Sequence, residues 1–202
     1  MINRRNLEKI KIEFERDIKD HVIKIKLDDG LYRHMCFKQA NTNNQWFEII
    51  TSPMLLTING DMGTYIFSRT EDMFTFFRGD TIDPNYWGEK LQAFSSEGFE
   101  SFNGELFRER VKEYMEDWEF DDEEQKGKVE SDVEDKVLSV LDQYSDNSAM
   151  FPAYIAVSEY ESEWGHKFED FQEVSCSDFS YHYLWCCHAL QWSVKEYDKL
   201  KK

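Results

Sequence analysis

The spacing of apolar residues changes twice along this chain, and those changes constrain the fold more than any other feature. Leu7, Ile10, Phe14 and Ile18 recur every three or four residues, the period of one helix face. From His21 the period falls to two: Ile23, Ile25 and Leu27 alternate with Lys24 and Lys26, and Asp28-Asp29-Gly30 offers a tight turn into the run Leu31 to Phe37. Trp46 to Thr51 and Leu55 to Ile58, interrupted at Pro53, read as two more strands, and Gly60 to Gly63 turns the chain into Thr64 to Ser68. Beyond residue 70 the helical spacing returns. This order predicts an α+β fold, with an antiparallel sheet of about four or five strands from the N-terminal part packed by helices from residues 70–200.

The helices are expected as follows. Thr70 is placed to cap a short helix over Glu71 to Arg78, with Glu71 and Asp72 in a first turn that favours acids. Pro84 starts the next, whose apolar face of Tyr86, Trp87, Leu91 and Phe94 runs through about Phe94. A helix from Gly104 carries the stripe Phe107, Val111, Tyr114, Met115 and Trp118, and one from Asp132 carries Val133, Val137, Val140, Leu141 and Tyr144. The stretch Asp178 to Leu200 lacks Gly and Pro and is expected to be a helix capped by Ser177 or Asp178, with Trp87, Trp185 and Trp192 buried. No Gly/Ser linker divides the chain. A single domain over 1–202 is expected, with a sheet-rich part (1–95), an acidic helical part (96–175) and a C-terminal helix (178–200); a second domain beginning near residue 96 is the alternative.

With 6 Trp, 10 Tyr and 16 Phe against 9 Gly and 3 Pro, the composition is that of a folded protein despite a formal charge of −17. Residues 96–175 hold 24 acidic and seven basic side chains, so this segment alone accounts for the whole excess. The balance disfavours direct binding to nucleic acid phosphates or to an anionic membrane. No stretch approaches the roughly 20 apolar residues of a membrane span, and the N-terminal Arg4-Arg5 leads into Glu8, Lys9 and Lys11 rather than an apolar signal region. The expected location is the cytoplasm. Cys36, Cys176, Cys186 and Cys187 lack the spacing of a disulfide framework and are read as reduced, buried thiols.

The densest charge run is Glu116 to Glu124, in which Glu116, Asp117, Glu119, Asp121, Asp122, Glu123 and Glu124 are acidic and Trp118 and Phe120 are the other two. A solvated helix end is the plain reading. The alternative is a partner-binding surface formed by all nine residues, the carboxylates steering a basic partner and Trp118 or Phe120 supplying an apolar anchor. A calcium loop is discounted, because the turn lacks Gly and Lys128 stands where a bidentate Glu belongs. His182 and Cys186, with Cys176 and His166, are weak candidates for zinc, and no metal or cofactor is expected. No G-x-S-x-G, H-E-x-x-H, P-loop or dinucleotide fingerprint is present, and no catalytic residue is assigned.

The blocks Asp29-Gly30-Leu31-Tyr32-Arg33-His34, Gly60-Asp61-Met62-Gly63-Thr64-Tyr65-Ile66-Phe67-Ser68-Arg69 and Glu71-Asp72-Met73-Phe74-Thr75-Phe76-Phe77-Arg78 resemble a family of uncharacterised proteins of tailed phages and prophages. Tyr86-Trp87-Gly88-Glu89-Lys90-Leu91 and Tyr183-Leu184-Trp185-Cys186-Cys187-His188-Ala189-Leu190 extend the resemblance over most of the chain. It implies an accessory protein made in the bacterial host cytoplasm. The leading expectation is a non-enzymatic inhibitor that binds a host defence protein through a DNA-mimicking acidic surface. One alternative is a small accessory enzyme or nucleic-acid-processing factor using Arg33, His34, Asp61, Arg69, Asp72 or Arg78 of the near-neutral half. Another is a virion assembly protein with a self-associating surface, the reading under which the chain would be a homo-oligomer.

Overall fold

The computed structural model describes residues 4–96, 98–144 and 146–201. The chain forms two compact units, one from residues 1–100 and 179–202, the other from residues 101–178. In the first, α1 (Arg4–Ile18) leads into a six-stranded antiparallel meander: β1 (Val22–Asp29), β2 (Tyr32–Lys38), β3 (Phe47–Ser52), β4 (Leu55–Gly60), β5 (Gly63–Phe67) and β6 (Leu91–Phe94). Between β5 and β6 lie α2 (Met73–Phe77) and α3 (Pro84–Gly88). The unit closes with α7 (Tyr181–Leu200).

The α+β expectation holds, with more strands than expected. Leu91 to Phe94 pair with β5 instead of prolonging a helix from Pro84. Apolar residues at 86, 87, 91 and 94 fit a helix, but α3 stops at Gly88, a poor helix former, and β5 needs its free N–H and C=O groups paired. Alternation in β1 also misleads: a bulge between Ile25 and Leu27 sets Leu27 opposite His34, 49% exposed, and turns Asp28 towards Arg33. Gly60 ends β4 where a Cβ would stand 2.2 Å from the Trp46 carbonyl oxygen, so no other residue fits there.

One sheet face, with Met35, Phe37, Phe47, Ile49, Leu56, Ile58, Tyr65 and Phe67 buried, is covered by α1, α2 and α7. Trp185 is fully buried edge-on to Phe14 (5.0 Å) and Phe47 (5.6 Å), and its indole N–H donates to Asp17 at 3.2 Å. Trp87 is buried as well, while Trp192 is only partly so. Ser180, rather than Ser177 or Asp178, caps α7 by accepting from the Tyr183 N–H. Asp72, rather than Thr70, caps α2.

In the second unit, α4 (Gly104–Met115), α5 (Glu123–Lys136) and α6 (Met150–Glu159) surround Phe107, Val111, Val129, Val133, Val137, Ala153, Val157 and Phe171. Strands β7 (Glu100–Phe102) and β8 (Ser177–Phe179), where the chain enters and leaves this unit, pair with each other. The helix expected from Asp132 begins nine residues earlier, inside the acidic run, and passes into a 3-10 turn over Leu138–Asp142.

Candidate protein-binding surface

The run Glu116 to Glu124 is the link between two helices. Glu116 is the C-cap of α4, Asp117 closes its last turn with N–H to Tyr114 O at 3.3 Å, and Asp122 caps α5 by accepting from the Gln125 N–H at 2.8 Å. Gln125 returns the bond, its side-chain oxygen accepting from the Asp121 N–H. The motif Asp122-Glu123-Glu124-Gln125 is therefore a variant of the capping box whose return bond falls one residue earlier, on Asp121 rather than on the N-cap, a signal that the charge count concealed. Glu123 and Glu124 stand in the first turn of α5, where the helix dipole favours them. Glu116 and Asp117 stand at the opposite pole, the C-terminal end of α4, where a carboxylate is unfavourable.

All seven acids of the run are exposed. Among the described residues only Glu124 has an ion pair, with Lys128 at 2.7 Å, and that hydrogen bond holds its carboxyl below the usual range. The unit as a whole carries 23 acidic and seven basic residues, net −16, whereas the first unit has 18 and 17. The carboxylates of the run thus form an exposed and almost uncompensated surface.

Trp118 and Phe120 do not protrude as anchors. Both are half-buried and pack on the unit's own core, Trp118 at 4.8 Å from the Phe168 ring and 5.1 Å from the His166 ring, Phe120 at 5.0 Å from His166. His166 fixes this turn: its Nε2–H donates to the Glu119 carbonyl at 2.9 Å, and its Nδ1 accepts from the Ser162 hydroxyl at 3.0 Å. Parts of both rings, with Met115, Val133 and Leu138, line a recess of about 560 Å³ beside the run.

The residues of the alternative site are engaged elsewhere in the first unit. Arg33 is buried, makes two hydrogen bonds to Asp72 (2.8 and 3.1 Å) and lies over the Phe74 ring at 4.5 Å. Burial alone would push the Asp72 carboxyl up; the bonds from Arg33 and from the Phe74 N–H more than reverse this and leave it below its usual range. Arg78 pairs with Asp198 at 2.7 Å, and Asp61 accepts from the Gln45 N–H at 2.9 Å. His34 donates its Nε2–H to Glu48 at 2.8 Å on the outer sheet face. Arg69 is exposed.

The zinc candidates are divided between the units. Cys186 is buried with its thiol towards the Met62 carbonyl, burial holds the Cys186 and Cys187 thiols far above their usual range, and Cys176 and His166 belong to the second unit. Among the described residues no three His, Cys, Asp or Glu side chains are grouped to hold a metal ion, and no helix is long and apolar enough to cross a membrane. No family model, curated protein or solved structure matches the chain.

Proposed function

We propose that this is a phage-encoded, non-enzymatic inhibitor that presents its acidic helical unit to the basic, nucleic-acid-binding face of a host defence protein in the bacterial cytoplasm. The observation that carries the reading is the exposed run Glu116 to Glu124, acidic at both ends of its link although one end opposes the α4 dipole. Carboxylates such as Glu116, Asp117 and Glu119, which among the described residues neither cap a helix with their side chains nor form an ion pair, suit a surface that competes with phosphates, since a duplex presents one charge per roughly 1.7 Å. Steering by such a surface acts within about 8 Å at physiological salt and shows chiefly in the association rate.

The test begins with affinity capture from bacterial lysate, followed by kinetics on the partner recovered. Reversing Glu116, Asp117 and Glu119 to Lys should slow association by about tenfold or more and flatten its salt dependence. The wild-type chain should displace DNA from that partner. An unchanged association rate, or a partner that binds DNA and this chain together, would overturn the proposal.

A further inference from the structure

The recess beside the acidic run has an apolar floor and a rim of five charged residues. Met115, Trp118, Phe120, Val133 and Leu138 form the floor. Around it stand Glu116, Glu130 and Glu134, with Lys112 and Lys126. At about 560 Å³ it lies within the range of small-molecule sites, roughly 300–1,000 Å³, so it holds a long side chain together with some flanking backbone.

The rim charges nearly balance. Glu134 is committed to Arg108 at 2.9 Å, and among the described residues Glu116, Glu130, Lys112 and Lys126 have no ion pair. The sign of a preferred occupant is therefore set by the rest of the unit, which without these five carries 20 acids and five bases. That field favours a cation and opposes an anion in a recess whose low-dielectric walls focus it. The floor selects the kind of cation. A guanidinium is planar, weakly hydrated and stacks on aromatic rings, and its three-carbon stem matches an apolar floor. Among the described residues neither lysine lies over the Trp118 or Phe120 ring, so the chain's own cations leave the rings available. Both lysines can contribute their stems as walls while their ammonium groups stay in water.

We infer that the recess receives an arginine side chain of the basic partner, stacked on Trp118 and Phe120 with its guanidinium between Glu116 and Glu130. This inference rests on the proposed function, and it inverts the anchor logic of the sequence: the apolar residues of the acidic run build the pocket, and the partner supplies the hot spot.

The probe is blocked arginine (Nα-acetyl-arginine amide), with blocked lysine, blocked norleucine and Nα-acetyl-phenylalanine as controls. The readout is the Trp118 indole N–H resonance, assigned with Trp118→Phe. Arginine should shift it with a millimolar dissociation constant, lysine less, norleucine and the carboxylate hardly at all. Glu130→Gln should weaken arginine binding about two- to fivefold and Lys126→Ala should strengthen it by a similar factor, as expected for one exposed charge at close range. Both replacements are at the rim and should leave the fold intact. Arginine-induced shifts spread over the acidic surface without a Trp118 response would overturn the pocket and leave the proposed function standing. A Trp118 response to the carboxylate that exceeds the arginine response would overturn the inferred sign. If arginine does occupy the recess but the triple-Lys chain associates with its partner at the wild-type rate, the proposed function fails and the arginine site does not.

Discussion

The two units use charge in different ways. In the first, where acids and bases nearly cancel, ion pairs tie separate elements together: Arg33 of β2 to Asp72 at the start of α2, Arg78 to Asp198 of α7, Lys26 of β1 to Glu48 of β3, Lys201 to Asp28 of β1. In the second, half of the six described pairs join neighbours on one helix, Arg110–Glu113, Lys128–Glu124 and Lys136–Asp132; Lys167 pairs with Glu161 across a short turn, and Arg108 bridges α4 to Glu134 and Asp142. Surface pairs of the helical kind contribute only about 0.3–0.5 kcal/mol each. The first unit therefore spends more of its charges on tertiary structure, while Glu116, Asp117, Glu119 and most other described acids of the second form no ion pair.

The largest effects should come from the two cores. Trp185→Ala and Phe107→Ala each remove a fully buried aromatic and should destabilise the unit that holds it by about 3–5 kcal/mol. Hydrogen exchange followed by mass spectrometry tests whether the units are separate. Trp185→Ala should speed exchange in β2 to β5 and α7 while α4, α5 and α6 keep their rates, and Phe107→Ala should do the reverse. Equal acceleration everywhere would mean one cooperative body and would break the comparison.

A smaller effect distinguishes the charges. Asp72→Ala leaves the Arg33 guanidinium, 8% exposed, without its partner and removes the α2 cap; because Asp72 itself is 27% exposed, the expected loss is about 2–3 kcal/mol rather than the full cost of a broken buried pair. Glu119→Gln should stay within about 0.5 kcal/mol. Urea unfolding of the two variants measures both. A Glu119 effect as large as that of Asp72 would show that the acidic run does serve the fold.

Much of this was legible in the residues and some was not, for physical reasons. The strands β2 to β5 followed from alternation because one sheet face is buried and the other is not, and α1 from Ile10, Phe14 and Ile18 because it packs a single face. Strand β6 was hidden because pairing with β5 is a long-range demand that overrides the helical spacing of Tyr86, Trp87, Leu91 and Phe94. Helix α6 went unread: its hydrophobic residues are spread around the axis and Pro152 sits in its first turn. At the candidate site the acids could be read, and so could the cap at Asp122 in principle. The inward turn of Trp118 could not, because His166 and Phe168, some 50 residues away, hold it.

Acid should act on the first unit through His188. Burial lowers its pKa below 6.5, its ring stacks on Phe14 at 5.9 Å and its Nε2–H donates to the Leu7 carbonyl. A lowered folded-state pKa means that the unfolded chain binds the proton more readily. Stability is then fully present above about pH 6.5 and falls as the pH drops through that value towards the folded pKa. Melting curves between pH 7.5 and 5.5 should show the first unit losing stability, and His188→Gln should lose less over the same range. A pH response identical in wild type and variant would remove His188 as the cause.

A salt effect bears most directly on the acidic unit. Raising sodium chloride from about 0.01 M to about 1 M shortens the Debye length from roughly 30 Å to 3 Å. Repulsion among the carboxylates of a unit with net charge −16 is then screened. Glu116 and Asp117 also lose their unfavourable interaction with the C-terminal end of α4, about 0.3–1 kcal/mol each at low salt. The second unit should gain on the order of 1 kcal/mol over this range, while the near-neutral first unit changes little. The double variant Glu116→Gln, Asp117→Asn should start from a higher stability at low salt and gain less as salt is added, and exchange of the α4 and α5 amides at the two salt concentrations separates this from any change in the first unit. A second unit equally stable at both concentrations would mean that its acids are already balanced in the folded chain; they would then carry no electrostatic cost for a basic partner to relieve, and the partner surface would have to be sought on the open face of the sheet.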